Sequence, residues 1–406
     1  MFDCIKKNIC KIEMNQIISG KSKQKLIRIT TVPLSLKTLL KGQSRFMSSY
    51  YEVIGISSAG KELSDVNLDE GIRVLPVEMT RKISPVKDLK SLYELYRILK
   101  REKPFIVHSH TPKAGIISML AAKFAQVPFR LHTVAGLPLM EATGNKRKLL
   151  DFVEKLTYQC ATNVYPNSKG LYDFIVANKF ADKTKLKVLA NGSSNGINTN
   201  YFDSNLISSE HKTLLVEYLN ISPTDFVFIF VGRLVADKGI NELIKSFNAI
   251  SENYNNAKLI LVGSFEEELD PLNSDTLQII NENLNILSVG FQQDVRSYFA
   301  ISDCLVFPSY REGFPNVVMQ AGAMGLPSIV SDINGCNEII EEGINGVIVP
   351  VKDDYALYNS MERMINDRDW NISLRKKSRE MIVSRYDQTV IWNAILDEYK
   401  TLENYV

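Results

Sequence analysis

The chain is poor in the features that mark several protein classes. Its 5 cysteines, Cys4, Cys10, Cys160, Cys304 and Cys336, form no C-x-x-C pair. Neither a disulfide framework nor a zinc ribbon is indicated, and a reducing compartment is expected. No apolar run approaches the roughly 18 residues of a membrane span, and Met1 to Gly20 contains no signal-peptide core. The expected location is therefore the cytoplasm. No G-x-G-x-x-G follows a strand-like run, which removes a dinucleotide cofactor held by that fingerprint. Gly55-x₄-Gly60-Lys61 imitates a phosphate-binding loop, but Glu62 stands where Ser or Thr must hold magnesium. Helix-turn-helix, zinc-finger and ribonucleoprotein signatures are missing as well, so no nucleic-acid partner is expected.

What is present describes an ordinary folded protein. At 406 residues, 45% hydrophobic and 23% charged, the chain has length for two or three domains with full cores. Its net charge of +2 conceals an asymmetry. Residues 1–200 hold 32 Lys and Arg against 16 acids, an excess of +16, and the remainder holds 16 against 30, an excess of −14. A basic half is drawn to anionic membrane surfaces, where each nearby Lys or Arg contributes about 1 kcal/mol. The alternative is attraction between the two halves themselves.

After a polar extension over 1–24, β-rich runs alternate with helical patterns. Leu26–Thr31, Tyr51–Ile56, Ile72–Val77, Phe105–His108, Phe129–His132, Asn163–Tyr165 and Leu186–Leu189 read as strands. Leu92, Leu95, Tyr96 and Leu99 have helical spacing before Pro104. A first domain over 25–203 is expected. The rhythm restarts with near-continuous apolar runs at Phe226–Val231, Lys258–Val262, Asn285–Val289, Cys304–Phe307 and Ser328–Val330, the pattern of strands buried on both faces of a parallel sheet. This predicts a second doubly wound α/β domain over 220–386, with ligands at the carboxyl ends of its strands. Arg375–Val406 reads as helix throughout, and residues 387–406 are expected to return to the first domain.

Three segments carry candidate chemistry. His108-Ser109-His110 and His132 lie at the ends of adjacent predicted strands, with no cysteine or close carboxylate to complete a metal site. They read as polar groups of a cleft, or as satisfied core histidines. Val231-Gly232-Arg233-Leu234-Val235-Ala236-Asp237-Lys238-Gly239 leaves a buried strand, places two cations five residues apart and enters a helix, a combination suited to a diphosphate. Glu312-Gly313-Phe314-Pro315-Asn316 follows another strand. With Pro315 in the first helical turn, the backbone N–H groups of Gly313 to Asn316 face an anion, and Glu312 can accept from sugar hydroxyls or cap the helix.

Together, V-G-R-L-x-x-x-K-G and the later E-G-F-P-x-x-x-x-Q resemble retaining glycosyltransferases of family 4. His108 to Gly115, His132 to Pro138 and Asn191 to Gly196 are similar to a bacterial subgroup that extends undecaprenyl-diphosphate-linked sugars for capsule, O-antigen or glycan assembly. The resemblance implies the GT-B fold, two Rossmann-like domains, with a UDP-sugar on the second and a lipid-linked sugar acceptor on the first. It implies that Arg233 and Lys238 neutralise the donor diphosphate. Glu312 would contact the donor sugar, with Gly313, Phe314, Pro315, Asn316 and Asn191 also on the donor side. His132 would face the reacting carbon, and His110 and Lys113 would serve the acceptor. Gln320 departs from the family's second Glu, which binds ribose; an amide can still accept one hydroxyl and donate to another. Glu141 is the only acid between Pro104 and Leu150, so a front-face reaction without a carboxylate nucleophile is expected. No cofactor and no metal are expected. The other readings are a sugar-nucleotide 2-epimerase of the same architecture and an inactive donor-binding scaffold subunit.

Overall fold

The computed structural model describes residues 23–80, 84–266 and 270–405, so most of the polar extension lies outside the described residues. The short apolar runs become strands of two parallel six-stranded sheets. The first comprises β1 (Lys25–Ile29), β2 (Glu52–Ser57), β3 (Arg73–Pro76), β4 (Ile106–Ser109), β5 (Phe129–Val134) and β6 (Asn163–Pro166), in the order β3-β2-β1-β4-β5-β6. The second comprises β7 (Phe226–Val231), β8 (Ala257–Val262), β9 (Ile286–Gly290), β10 (Cys304–Phe307), β11 (Ser328–Ser331) and β12 (Gly346–Val349), in the order β12-β11-β10-β7-β8-β9. Strand order reverses between β1 and β4 in one sheet and between β7 and β10 in the other. Ligands of open parallel sheets lie beyond the carboxyl ends of the strands at that reversal.

Two compact units follow from the contacts. Of the described residues, one contains those through Asn167, Leu171–Leu189 and those from Trp392 onward; the other contains Ser168–Gly170 and those between Ala190 and Ile391. Each has its own core. In the second, Phe228, Phe230, Phe247, Leu259 and Leu261 are fully buried, and enclosing each such side chain contributes about 1.5–3 kcal/mol. In the first, Ile27, Ile54, Leu95 and Val107 play this part.

The helices used below are α1 (Pro85–Glu102), α2 (Pro112–Phe124), α3 (Gly144–Cys160), α4 (Ile240–Asn253), α5 (Asn316–Ala323), α6 (Arg368–Tyr386) and α7 (Gln388–Glu403). The predicted strand Leu186–Leu189 does not form; only Leu186 bridges to Val164, and the Lys187 N–H donates to the Val164 carbonyl at 3.1 Å. Pro166, two residues further along β6, has no N–H for another rung. The predicted continuous helix from Arg375 breaks at Asp387, whose extended backbone (ψ 142°) ends α6 and whose carboxylate accepts from the Thr389 N–H (2.9 Å) and hydroxyl (2.6 Å). Strand β12 was not foreseen.

Candidate active site

In the second unit, chemistry is concentrated in the loops after β7 and β10, the two strands at the reversal. The loop after β7 makes a tight turn at Ala236–Lys238 and reaches α4 through Gly239, whose φ is +70°. A Cβ at Gly239 would run into the Pro308 carbonyl oxygen, so glycine allows this loop to lie against the one after β10. The Tyr310 N–H donates to the Asp237 carbonyl at 2.9 Å, and the Arg311 guanidinium pairs with the Asp237 carboxylate at 2.7 Å.

This packing brings Lys238 and Glu312, 74 positions apart, into an ion pair between Nζ and Oε1. Their side chains are only 15% and 19% exposed. The Ser309 hydroxyl lies 3.1 Å from the Arg311 carbonyl and 3.3 Å from Glu312 Oε1. Beyond Glu312, the Asn334 amide donates to the carbonyls of Glu312 (3.2 Å) and Gly313 (2.6 Å), fixing the path of the loop into α5. Pro315 is the cap before α5, not part of its first turn, and Asn316 is the first helical residue. The first N–H groups of a helix have no intrahelical acceptor and form its positive end. The result is a cation, a carboxylate and a helix N-terminus assembled beyond the strand ends. A phosphate can engage the ammonium while hydroxyls engage the carboxylate.

The remaining residues singled out in this unit are less closely gathered. Arg233 leaves the same loop but pairs with Glu266 at 2.7 Å, its side chain half exposed. The Phe314 ring packs on Tyr386 at 5.4 Å between centroids. Asn316 is exposed and Gln320 half-buried. Asn191 is exposed and donates to the Arg385 carbonyl at 3.4 Å, a contact with neither Lys238 nor Glu312.

The first unit builds its polar groups into the strands. Arg28 and His108 are neighbours in register on β1 and β4, and Thr133 is two residues beyond Leu131, the partner of His108 on β5. Arg28 donates to the Tyr399 hydroxyl of α7 at 3.0 Å. The hydroxyl's own proton therefore goes to His108 Nδ1, 2.5 Å away, and His108 Nε2–H donates to Thr133 at 2.8 Å. The network assigns a neutral His108. Burial and the neighbouring Arg28 hold His108 well below the ordinary histidine range, and burial with His108 and Arg28 nearby does the same to His110. His110 stacks on His108 at 4.2 Å, and neither of its ring nitrogens has a partner; nor do Nε and Nη1 of the fully buried Arg28.

His132 points to the opposite face of the sheet. Its Nδ1 lies 2.8 Å from the Ser109 hydroxyl, and the ring rests on Gly115 of α2, where a Cβ would sit 2.5 Å from Cε1. Burial pushes His132 down to about 4. Lys113, in the first turn of α2, is held by Asp88 of α1. Among the described residues no group of three or more His, Cys, Asp or Glu could hold a metal ion.

Several participants escaped the sequence reading. Asp237 lies inside the V-G-R-L segment but attracted no role, and Ser309 and Asn334 carry no local signature. Arg28 did leave a signal, as a lone cation in an apolar run. Tyr399 lies in the stretch read only as helix.

Family models for "Glycosyl transferases group 1" and "Glycosyl transferase 4-like" match residues 212–382 and 36–168. The capsular polysaccharide biosynthesis glycosyltransferase CapM of Staphylococcus aureus is 35% identical, covering 93% of this chain and 97% of that one. The Escherichia coli UDP-Gal:alpha-D-GlcNAc-diphosphoundecaprenol alpha-1,3-galactosyltransferase is 29% identical over 92% of this chain and 97% of its own. Anabaena HepE, solved in complex with UDP, superposes with a TM-score of 0.77 at 17% identity over 93% of this chain and 100% of that one, a likeness of fold.

Proposed function

The chain belongs to the group 1 glycosyltransferases, and on that premise we propose that it transfers a hexose or N-acetylhexosamine from a UDP-sugar to a lipid-diphosphate-linked sugar in surface-polysaccharide assembly, with retention of anomeric configuration. The observation that carries this reading is the Lys238–Glu312 pair beyond β7 and β10, beside the N-terminus of α5. The two side chains pair with each other. A nucleoside diphosphate sugar takes the ammonium for its phosphates and the carboxylate for its sugar hydroxyls. Lys238, Arg233 and the α5 N-terminus then oppose the negative charge that grows on the leaving diphosphate in the transition state. Gln320 is assigned to ribose, and Gly313 to Asn316 line the donor.

Two similar proteins support the choice of donor and acceptor: the E. coli relative is named for UDP-Gal and a diphosphoundecaprenol sugar, and HepE was solved with UDP. In the first unit, His132 is assigned to the reacting centre, and His110 and Lys113 to the acceptor. A neutral His132 can share a hydroxyl without adding a charge. No helix among the described residues is long and apolar enough to cross a membrane. The proposed lipid-linked acceptor places the enzyme at the inner face of the cytoplasmic membrane as a peripheral protein in this reading.

The test begins with melting curves in UDP, GDP, CMP and ADP. A ligand at a hundred times its dissociation constant stabilises by about 2.7 kcal/mol. Selective stabilisation by UDP, lost in Lys238→Ala, is expected; it leads to an assay of UDP-sugars with undecaprenyl-diphosphate-linked acceptors, the anomer of the product read by NMR. Stabilisation by GDP alone would overturn the donor assignment. An inverted product would overturn retention, and epimerisation of free UDP-sugar without transfer would favour the 2-epimerase.

A further inference from the structure

Helices α1, α2 and α3 pack side by side, with α2 between the other two. Two kinds of side chain dominate their outward surface. On α1, Leu89 (67% exposed) and Tyr93 (60%) stand in solvent beside Lys90 and Arg97. On α3, Leu149 (45%) and Phe152 (63%) stand with Lys146 and Lys148. At about 100° per residue, Phe152 and Leu149 fall between the two lysines around the helix axis.

No acidic side chain of these helices is exposed. Asp88, Glu94 and Asp151 are half-buried, and Glu102 and Glu154 are buried. Asp88 and Asp151 are already engaged by Lys113 and Arg147. Soluble surfaces normally interleave both signs of charge. This one offers exposed cations and apolar anchors with no exposed acid beside them, the composition of an element that lies in a bilayer interface.

We propose that the outer face of α1–α3 docks on an anionic lipid bilayer. Leu89, Tyr93, Leu149 and Phe152 enter the boundary between headgroups and acyl chains, and Lys90, Lys146 and Lys148 meet the lipid phosphates. The choice of a bilayer rests in part on the lipid-linked acceptor proposed above. A second copy of the chain would set like charges face to face, and a nucleic-acid backbone has no use for the exposed Leu and Phe.

The experiment is co-sedimentation of the full chain with vesicles of phosphatidylcholine alone and of equal parts phosphatidylcholine and phosphatidylglycerol. Binding is expected only to the anionic vesicles and is released by high salt. The combined variant Lys90→Gln, Lys146→Gln, Lys148→Gln should lower partitioning roughly a hundredfold, at about 1 kcal/mol per charge. Leu149→Ser with Phe152→Ser should lower it about tenfold or more, each variant melting as the wild type does. Equal binding by variants and wild type, equal binding to both vesicles, or preference for a DNA duplex overturns the proposal. Transfer assayed in detergent keeps the two readings apart. Transfer by a wild type that ignores anionic vesicles removes the docking face alone, and residue-dependent vesicle binding by a chain that transfers nothing removes the activity alone.

Discussion

The two sheets share a strand order but place polar atoms differently. Along β7, β8 and β10 nearly every residue is apolar and buried, the one charge being Lys258 near the start of β8, and the other charged groups lie outside the strands. Along β1, β4 and β5 the strands themselves carry Arg28, His108, Ser109, His132 and Thr133, all buried. The second unit is an inert platform with reactive loops. The first has its polar network inside the platform, where each group must be partnered or remain neutral. Side chains beyond the β7 and β10 ends can therefore change with little harm to folding, whereas those of the first sheet serve stability and position together.

Acidification should separate the sheets most widely. His132 titrates at about 4 and His108 and His110 are depressed by burial, so all three are neutral in the folded chain at neutral pH. Unfolded histidine takes up its proton near pH 6.5, so the unfolded chain binds more protons as pH falls below that value, and stability falls with it. For His132 the loss from about pH 7.5 to about pH 5 is roughly 2 kcal/mol. Glu154, raised by burial to about 7, acts in the opposite sense. It gains its proton in the folded chain first and returns roughly 2 kcal/mol over the same interval, which leaves His108 and His110 uncompensated. The second unit's His211 is exposed. Hydrogen exchange should show β1, β4 and β5 losing protection in acid while β7, β8 and β10 retain it; equal loss in both would break the comparison.

Tyr399→Phe should cost about 1–3 kcal/mol in urea unfolding of the first unit, because Arg28 and His108 lose their shared hydroxyl inside the protein. A change under about 0.5 kcal/mol would mean that the network is not what holds α7. Lys238→Ala and Glu312→Ala should each lower kcat/KM at least tenfold, about 1.4 kcal/mol of barrier. Wild-type rates would remove both from the site. The smallest effect is expected for Arg233→Gln, within about 0.5 kcal/mol of wild-type stability because its ion pair with Glu266 is exposed. Its influence should appear only as weaker stabilisation by UDP, and an equal response to UDP would detach Arg233 from the diphosphate.

The same contrast accounts for what could be read in advance. Phe226–Val231 and Cys304–Phe307 announce themselves because strands buried on both faces leave uninterrupted apolar runs. Lys238 and Glu312 were legible because each stands directly after such a run in a recognisable turn. The Gly346–Val349 strand was missed because four residues beside a glycine turn carry little periodicity, and Leu186–Leu189 misled because its alternation lacks a partner rung at Pro166. Asn334 and Tyr399 were illegible for a different reason. Their parts depend on residues 21 and 371 positions away, and no local pattern encodes such a meeting.

The Arg28–Tyr399 bond also bears on how the chain is made. The two residues lie 371 positions apart, and the segment from Trp392 onward belongs to the first unit. Ribosomes add about 5–20 residues per second, so Arg28 waits on the order of tens of seconds before Tyr399 is synthesised. The second sheet, completed at Val349, can close while the protein is still growing. The half of the molecule made first is thus the half finished last, and a ribosome stalled in the final helix would release a folded second unit beside a first sheet with Arg28 and His108 uncovered.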